Sequence, residues 1–184
     1  MLKWMIRRKL RAFEKAYGYD GSYMHQVLDL DLEAFLRFVR ATGLLRYRKD
    51  APADAYFAAT LAASMLADCG PCTQLGVAFA LRSAVSPRTV SAIIAGDETA
   101  MTSDAVVGFR FARAVLAHAP EAHALREEIV RRWGPRAVLA LAFGMLEAQM
   151  YPMLKYALGH GQACTRVVVA GVPVTPLRAA TEPG

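Results

Sequence analysis

Apolar residues recur along most of this chain at the three- and four-residue intervals of an α-helix, and polar breaks divide it into successive helical segments. At about 100° per residue, Leu2, Met5, Ile6, Leu10, Phe13 and Tyr17 fall on one side of a first helix, with Lys3, Arg7, Arg8, Arg11 and Lys15 on the other. Tyr19 to Ser22 breaks it. Asp31, with Leu30 before it, opens a second helix that runs through Phe35, Leu36 and Val39 and stops at Gly43. The polar stretch from Arg46 to Ala53, with Pro52, separates this entry from the body of the chain. From Ala55 to Leu81 only Asp68 is charged and alanine abounds, which predicts two buried helices meeting just after Asp68.

Ser86-Pro87 forms a cap and first-turn pair for a further helix that Gly96 ends, and Thr102 or Ser103 opens another to about Ala117. Pro120 to Trp133 makes the next. Gly134-Pro135 then resets the chain into a long apolar helix through Leu139, Leu141, Phe143, Leu146 and Met150. Pro152 is expected to kink or interrupt it before its end near Gly159. Arg166 to Ala170 and three later prolines read as an extended tail with one short strand. The predicted fold class is all-α, a bundle of about six to eight helices with a short extended C-terminal tail. Its expected organisation is an N-terminal helical extension over 1–50, a helical core over 51–160 and a tail over 161–184.

Composition adds an expectation about assembly. With 55% hydrophobic and 21% charged residues, the chain is rich in apolar surface to hide between subunits, so a homo-oligomer is predicted. The formal net charge is +6, and residues 1–15 supply +5 of it, six cations against Glu14 alone. The remaining body is near neutral and has no basic stripe or recognition motif, so nucleic acid is not an expected partner. For the first helix, docking of its apolar stripe on the domain or a neighbouring subunit is preferred to contact of residues 1–17 with an anionic membrane surface. The basic start is not followed by the apolar run of an export signal, and Ala137 to Leu146 is closed by Glu147, Pro152 and Lys155, short of the ~20 apolar residues of a membrane span. A cytoplasmic protein without such a span is the expectation.

The candidate chemistry lies in Cys69-Gly70-Pro71-Cys72. Two cysteines three apart can pass two electrons between a dithiol and a disulfide, and with three cysteines in all an extracellular disulfide framework is not indicated. Pro71 has no backbone donor and suits a first turn, which puts Cys69 at a helix cap and Cys72 just inside. Both sulfurs then sit near the positive end of a helix, which favours a thiolate, while Asp68 opposes it. The pair can also be structural, or part of a metal site. Zinc needs about four ligands, and neither His160 with Cys164 nor His118, His123 and His25 offers a matching set, so no metal or organic cofactor is expected. The tetrapeptide is that of thioredoxin, but that fold requires a strand before it, and Ala58 to Ala67 reads as helix. Glu147, a carboxylate inside an apolar run, must meet a partner, a cavity or water, and is a candidate for the site or for an interhelical salt bridge.

A C-x-x-C opening a buried helix after an alanine-rich helix, in an all-helical chain, resembles the carboxymuconolactone decarboxylase and alkylhydroperoxidase D-like superfamily over about Pro52 to Gly159. The resemblance implies a helical homo-oligomer of the alkylhydroperoxidase D-like bundle type. It implies an antioxidant peroxidase or disulfide oxidoreductase in which Cys72 attacks a small-molecule hydroperoxide or the disulfide of a partner protein and Cys69 resolves. The usual family pattern is C-x-x-C-x-x-x-H, with a glutamate about three turns before the first cysteine. Here those positions are Gly76 and about Phe57, neither of which carries a proton, and Asp54, Gln74 and Glu147 are the candidates for a relay in their place. Two alternatives stand beside enzymatic redox chemistry: a redox-inactive member serving as oligomeric scaffold or small-molecule binder, and a carboxymuconolactone decarboxylase-like enzyme.

Overall fold

The alanine-rich segment becomes the axis of the fold. In the computed structural model, which describes residues 1–177 apart from the side chain of residue 45, it forms α4 (Ala53–Leu66), buried without a break from Ala55 to Met65. Three helices precede it, α1 (Leu2–Tyr17), α2 (Ser22–Leu30) and α3 (Leu32–Ala41), followed by a 3-10 turn at Thr42–Arg46. After it come α5 (Gly70–Arg82), α6 (Pro87–Ala95), α7 (Ser103–Leu116), α8 (Glu121–Trp133) and α9 (Pro135–Ala157), then a hairpin of β1 (Val167–Val169) and β2 (Val172–Val174). The protein is thus all-α with a short extended tail. Helices α5, α6, α7 and α9 all pack on α4. Its small side chains permit close approach: a Cβ on Gly108 of α7 would strike the backbone carbonyl of Ala55.

Local signals set most of the boundaries. The Asp31 carboxylate accepts the Glu33 and Ala34 amides at 2.6 and 3.1 Å, and the Ser86 and Thr102 hydroxyls accept those of Thr89 and Ala105 at 3.0 and 3.3 Å. Gly96, at φ 71°, closes α6.

Three features differ from the sequence expectation. After α1 ends at Gly18, Ser22–Leu30 regains the helix, because Tyr23, Met24, Val27 and Leu28 share a helical face that His25, Gln26 and Asp29 obscure in the linear pattern. Of the two outcomes expected at Pro152, a kink or an interruption, interruption does not occur, and α9 runs on to Ala157. Proline removes one amide donor there, and packing of the helix on both sides of it offsets that loss, with Met145 in the main core and Tyr151, Leu154 and Leu158 against a second cluster. The tail holds two strands rather than one, paired antiparallel with Val167 opposite Val174. The last part of the predicted tail, 178–184, lies outside the described residues.

That second cluster is built on Tyr23, Met24, Leu28 and Phe35, and it seats the N-terminal helices on the later half of α9. Helix α1 buries no residue fully, but its inner stripe of Ile6, Leu10, Phe13 and Tyr17 is half-buried. The Tyr17 ring meets Phe79 of α5 edge-on at 5.3 Å, and Arg82 donates to the Tyr17 hydroxyl at 2.9 Å. Among the described residues α9 is the one helix long and apolar enough to cross a bilayer. It packs along α4, and its buried residues include Glu147 and Lys155.

Candidate functional site

The turn between α4 and α5 is tied down from several sides. Asp68 takes a positive φ of 49°, its carboxylate accepts the Cys164 amide at 2.8 Å, and its carbonyl accepts the Tyr156 hydroxyl at 2.9 Å. The Gly70 amide donates to the Gln162 carbonyl at 3.0 Å, and a Cβ at Gly70 would lie 2.8 Å from the Ala163 carbonyl oxygen. Only glycine fits against that neighbouring backbone. Pro71 occupies the first turn, where no amide donor is needed. Cys69 is the N-cap of α5, its sulfur accepting the Cys72 amide at 3.4 Å. The Thr73 hydroxyl lies 3.0 Å from the Cys69 carbonyl and 3.1 Å from the Ser64 hydroxyl, pinning the start of α5 to the end of α4.

Cys69 and Cys72 are joined as a disulfide, with Cα atoms 5.3 Å apart. Their environments are unequal. Cys69 is fully buried, whereas Cys72 is partly exposed and lines a cavity of about 860 Å³ between the N-terminal layer and helices α4, α5 and α9. Leu10 and Phe13 of α1, Phe57 of α4, and Leu75 and Phe79 of α5 supply apolar wall. Tyr56, Thr60 and Ser64, four residues apart on α4, face it together with Glu147 and Tyr151 of α9. Arg46, Arg48 and Arg82 bring cationic side chains to the same space.

Glu147 is 2% exposed. Burial chiefly, and the charge of Glu147 in addition, raise the phenol pKa values of both Tyr56 and Tyr151. For Tyr56 the result is about 12, with the Arg48 guanidinium offsetting part of the rise. That guanidinium lies 4.7 Å from the Tyr56 ring centroid and 4.8 Å from that of Phe57, and donates to the Ser83 hydroxyl at 3.3 Å. Glu14, also at the cavity wall, accepts the Gly21 amide at 3.2 Å and faces His25. The site therefore joins a sulfur at a helix N-terminus to a buried carboxylate and phenols that stay protonated at neutral pH. Such a set can form a thiolate, hold a proton and donate a hydrogen bond to a bound oxygen.

Of the residues singled out in the sequence, Cys72 and Glu147 share this cavity and Cys69 sits behind Cys72. Asp54 is held elsewhere, accepting the Thr102 hydroxyl at 2.7 Å. Gln74 points to the hairpin, where its amide donates to the Val168 carbonyl at 2.9 Å and accepts the Val168 amide at 2.8 Å. Phe57 and Gly76 both line the cavity, and a Cβ on Gly76 would come within 2.9 Å of Leu61. His160 contacts Ser22 at 3.0 Å and Gln26 at 2.6 Å. No group of three or more His, Cys, Asp or Glu side chains is placed to hold a metal ion among the described residues. Sequence reasoning missed Tyr56, Tyr151 and Arg48. The available signal was the spacing of Tyr56, Thr60 and Ser64, polar at every fourth position of an otherwise apolar helix. No protein-family model, curated protein or solved structure matches this chain.

Proposed function

We propose that this protein is a thiol–disulfide redox protein of the alkylhydroperoxidase D-like kind, reducing a hydroperoxide or a partner disulfide through Cys69 and Cys72. The observation that supports this reading is the unequal pair at the start of α5, one sulfur enclosed and the other lining a cavity large enough for an organic substrate. With a hydroperoxide, the Cys72 thiolate attacks the terminal oxygen, the O–O bond breaks, and the alcohol leaves with a proton, so that Cys72 becomes a sulfenic acid. Cys69 then attacks the Cys72 sulfur and expels water, forming the disulfide. An external dithiol takes up the oxidation and restores both thiols. Glu147 and Tyr56 are the proton-handling groups in this reading, standing in for the positions that Phe57 and Gly76 occupy. A cytoplasmic setting supplies the reductant. For the predicted homo-oligomer, the proposed contact is the outer face of α9, where Leu139, Leu146 and Met153 are exposed at seven-residue spacing.

The test is alkylation of native protein with mass readout after mild peroxide and again after dithiol, with Cys69→Ser and Cys72→Ser alongside. The expected result is a reversible loss of both thiols in the unaltered chain, a trappable sulfenic acid at Cys72 in Cys69→Ser, and no peroxide consumption by Cys72→Ser. Thiols that remain fully alkylatable after peroxide would sink the redox reading. The cavity would then favour the second reading, a small-molecule binder on the same scaffold.

A further inference from the structure

Among the described residues, the face of α1 turned away from the domain has no partner in the fold, and its chemistry is unusual for a solvated helix. We propose that it is an interfacial anchor for anionic lipid bilayers. With Ile6, Leu10, Phe13 and Tyr17 turned inward, the outer side presents Trp4, 64% exposed, and Met5, 51% exposed, beside the exposed cations Arg8, Lys9, Arg11 and Lys15. The helix's one acid, Glu14, is turned in and holds the Gly21 amide, so this outer face bears cations and no carboxylate. Lys3 donates to the Asp29 carbonyl at 3.4 Å and Arg7 pairs with the Asp29 carboxylate. These contacts tie α1 to the end of α2, where Leu30 is 73% exposed between Asp29 and Asp31.

An indole and a thioether beside a cluster of cations match the headgroup boundary of a membrane. The apolar groups enter the acyl margin, and the cations meet lipid phosphates. A nucleic acid would use the cations but leave Trp4 and Met5 in water, which is why the bilayer is the occupant assigned. Leu10 and Phe13 on the inner side of the same helix wall the cavity, so the anchor places that cavity directly behind the membrane-facing helix. The assignment does not depend on thiol chemistry.

The experiment uses the full chain carrying Trp133→Phe, which leaves Trp4 as sole tryptophan, since the chain has 2. Phosphatidylcholine vesicles with and without phosphatidylglycerol are added, reading Trp4 emission and flotation at low and moderate salt. The expected result is a blue shift and flotation with the anionic vesicles alone, weakened by salt. Combined Arg8→Gln, Lys9→Gln and Arg11→Gln should weaken partition roughly hundredfold, at about fivefold per cation. Trp4→Ser should weaken it with an unchanged melting transition, and Cys72→Ser should float like the parent. Absent flotation, equal partition to neutral vesicles, or an unaffected triple variant would overturn the anchor. So would the same blue shift with duplex DNA, or a change in oligomer mass on Trp4→Ser with Met5→Ser, which would give the face to a second copy.

Discussion

Lys155 is fully buried in α9, its ammonium 4.7 and 5.1 Å from the ring centroids of Tyr19 and Tyr23, with no hydrogen-bond acceptor among the described residues. Loss of hydration lowers its pKa, and Asp20 restores only part of it. Below about pH 10.5 the unfolded chain therefore binds more protons at this residue than the native one, and its effect on stability becomes more favourable as pH rises towards that value. Tyr56 acts in the opposite sense. Its pKa is raised to about 12, so its contribution is complete below about pH 10 and is lost as pH climbs through 12. Urea midpoints should accordingly rise on moving from neutral to moderately alkaline pH and fall beyond it. Lys155→Met should raise the neutral midpoint and flatten the rise, and Tyr56→Phe should delay the fall; a Lys155→Met variant less stable than its parent at neutral pH would contradict this account. A second residue-scale prediction concerns Gly70→Ala. The added methyl meets the Ala163 carbonyl at 2.8 Å, and relieving that clash should cost about 1–3 kcal/mol in a urea melt of either redox form.

At the scale of elements, the hairpin is packed on the core through Val167 and Val169 and tied to α5 through Gln74. Gln74 of α5 donates to and accepts from the backbone of Val168, so the edge of β1 is paired rather than left open. Gln74→Ala should cost about 1–2 kcal/mol for the two lost bonds and speed hydrogen exchange at the Val168 amide. Gln74→Glu keeps the acceptor and should retain most of that amide's protection, and equal exchange rates in the two variants would disprove the two-point attachment. Helix α9 joins the two hydrophobic clusters, which explains how one helix contains an interior proline and still runs on to Ala157.

For the whole molecule, the oligomer contact proposed above is the outward stripe of α9. Leu139, Leu146 and Met153 repeat with the seven-residue period of a helix–helix seam, and Met153 is 72% exposed. Leu146→Glu with Met153→Glu should reduce the particle mass measured by light scattering without lowering helix content. A wild-type chain already monomeric at micromolar concentration would remove this interface from consideration.

Much of the fold was legible in the linear pattern because its causes are local. The caps at Asp31, Ser86 and Thr102, the stop at Gly96 and the cap position of Cys69 each depend on bonds to residues no more than five positions away. The buried course of α4 follows from its own composition. Tertiary packing decided the rest. Residues 22–30 form α2 because their apolar face meets α3 and α9, the strands of the tail pair with one another, and Pro152 is held within an unbroken helix. Chain crossing also determined that Glu147, rather than Asp54 or Gln74, shares a cavity with Cys72. Glu147 and Cys72 are far apart in sequence, and no periodicity along the chain encodes the packing of α9 on α4 that brings them to the same space.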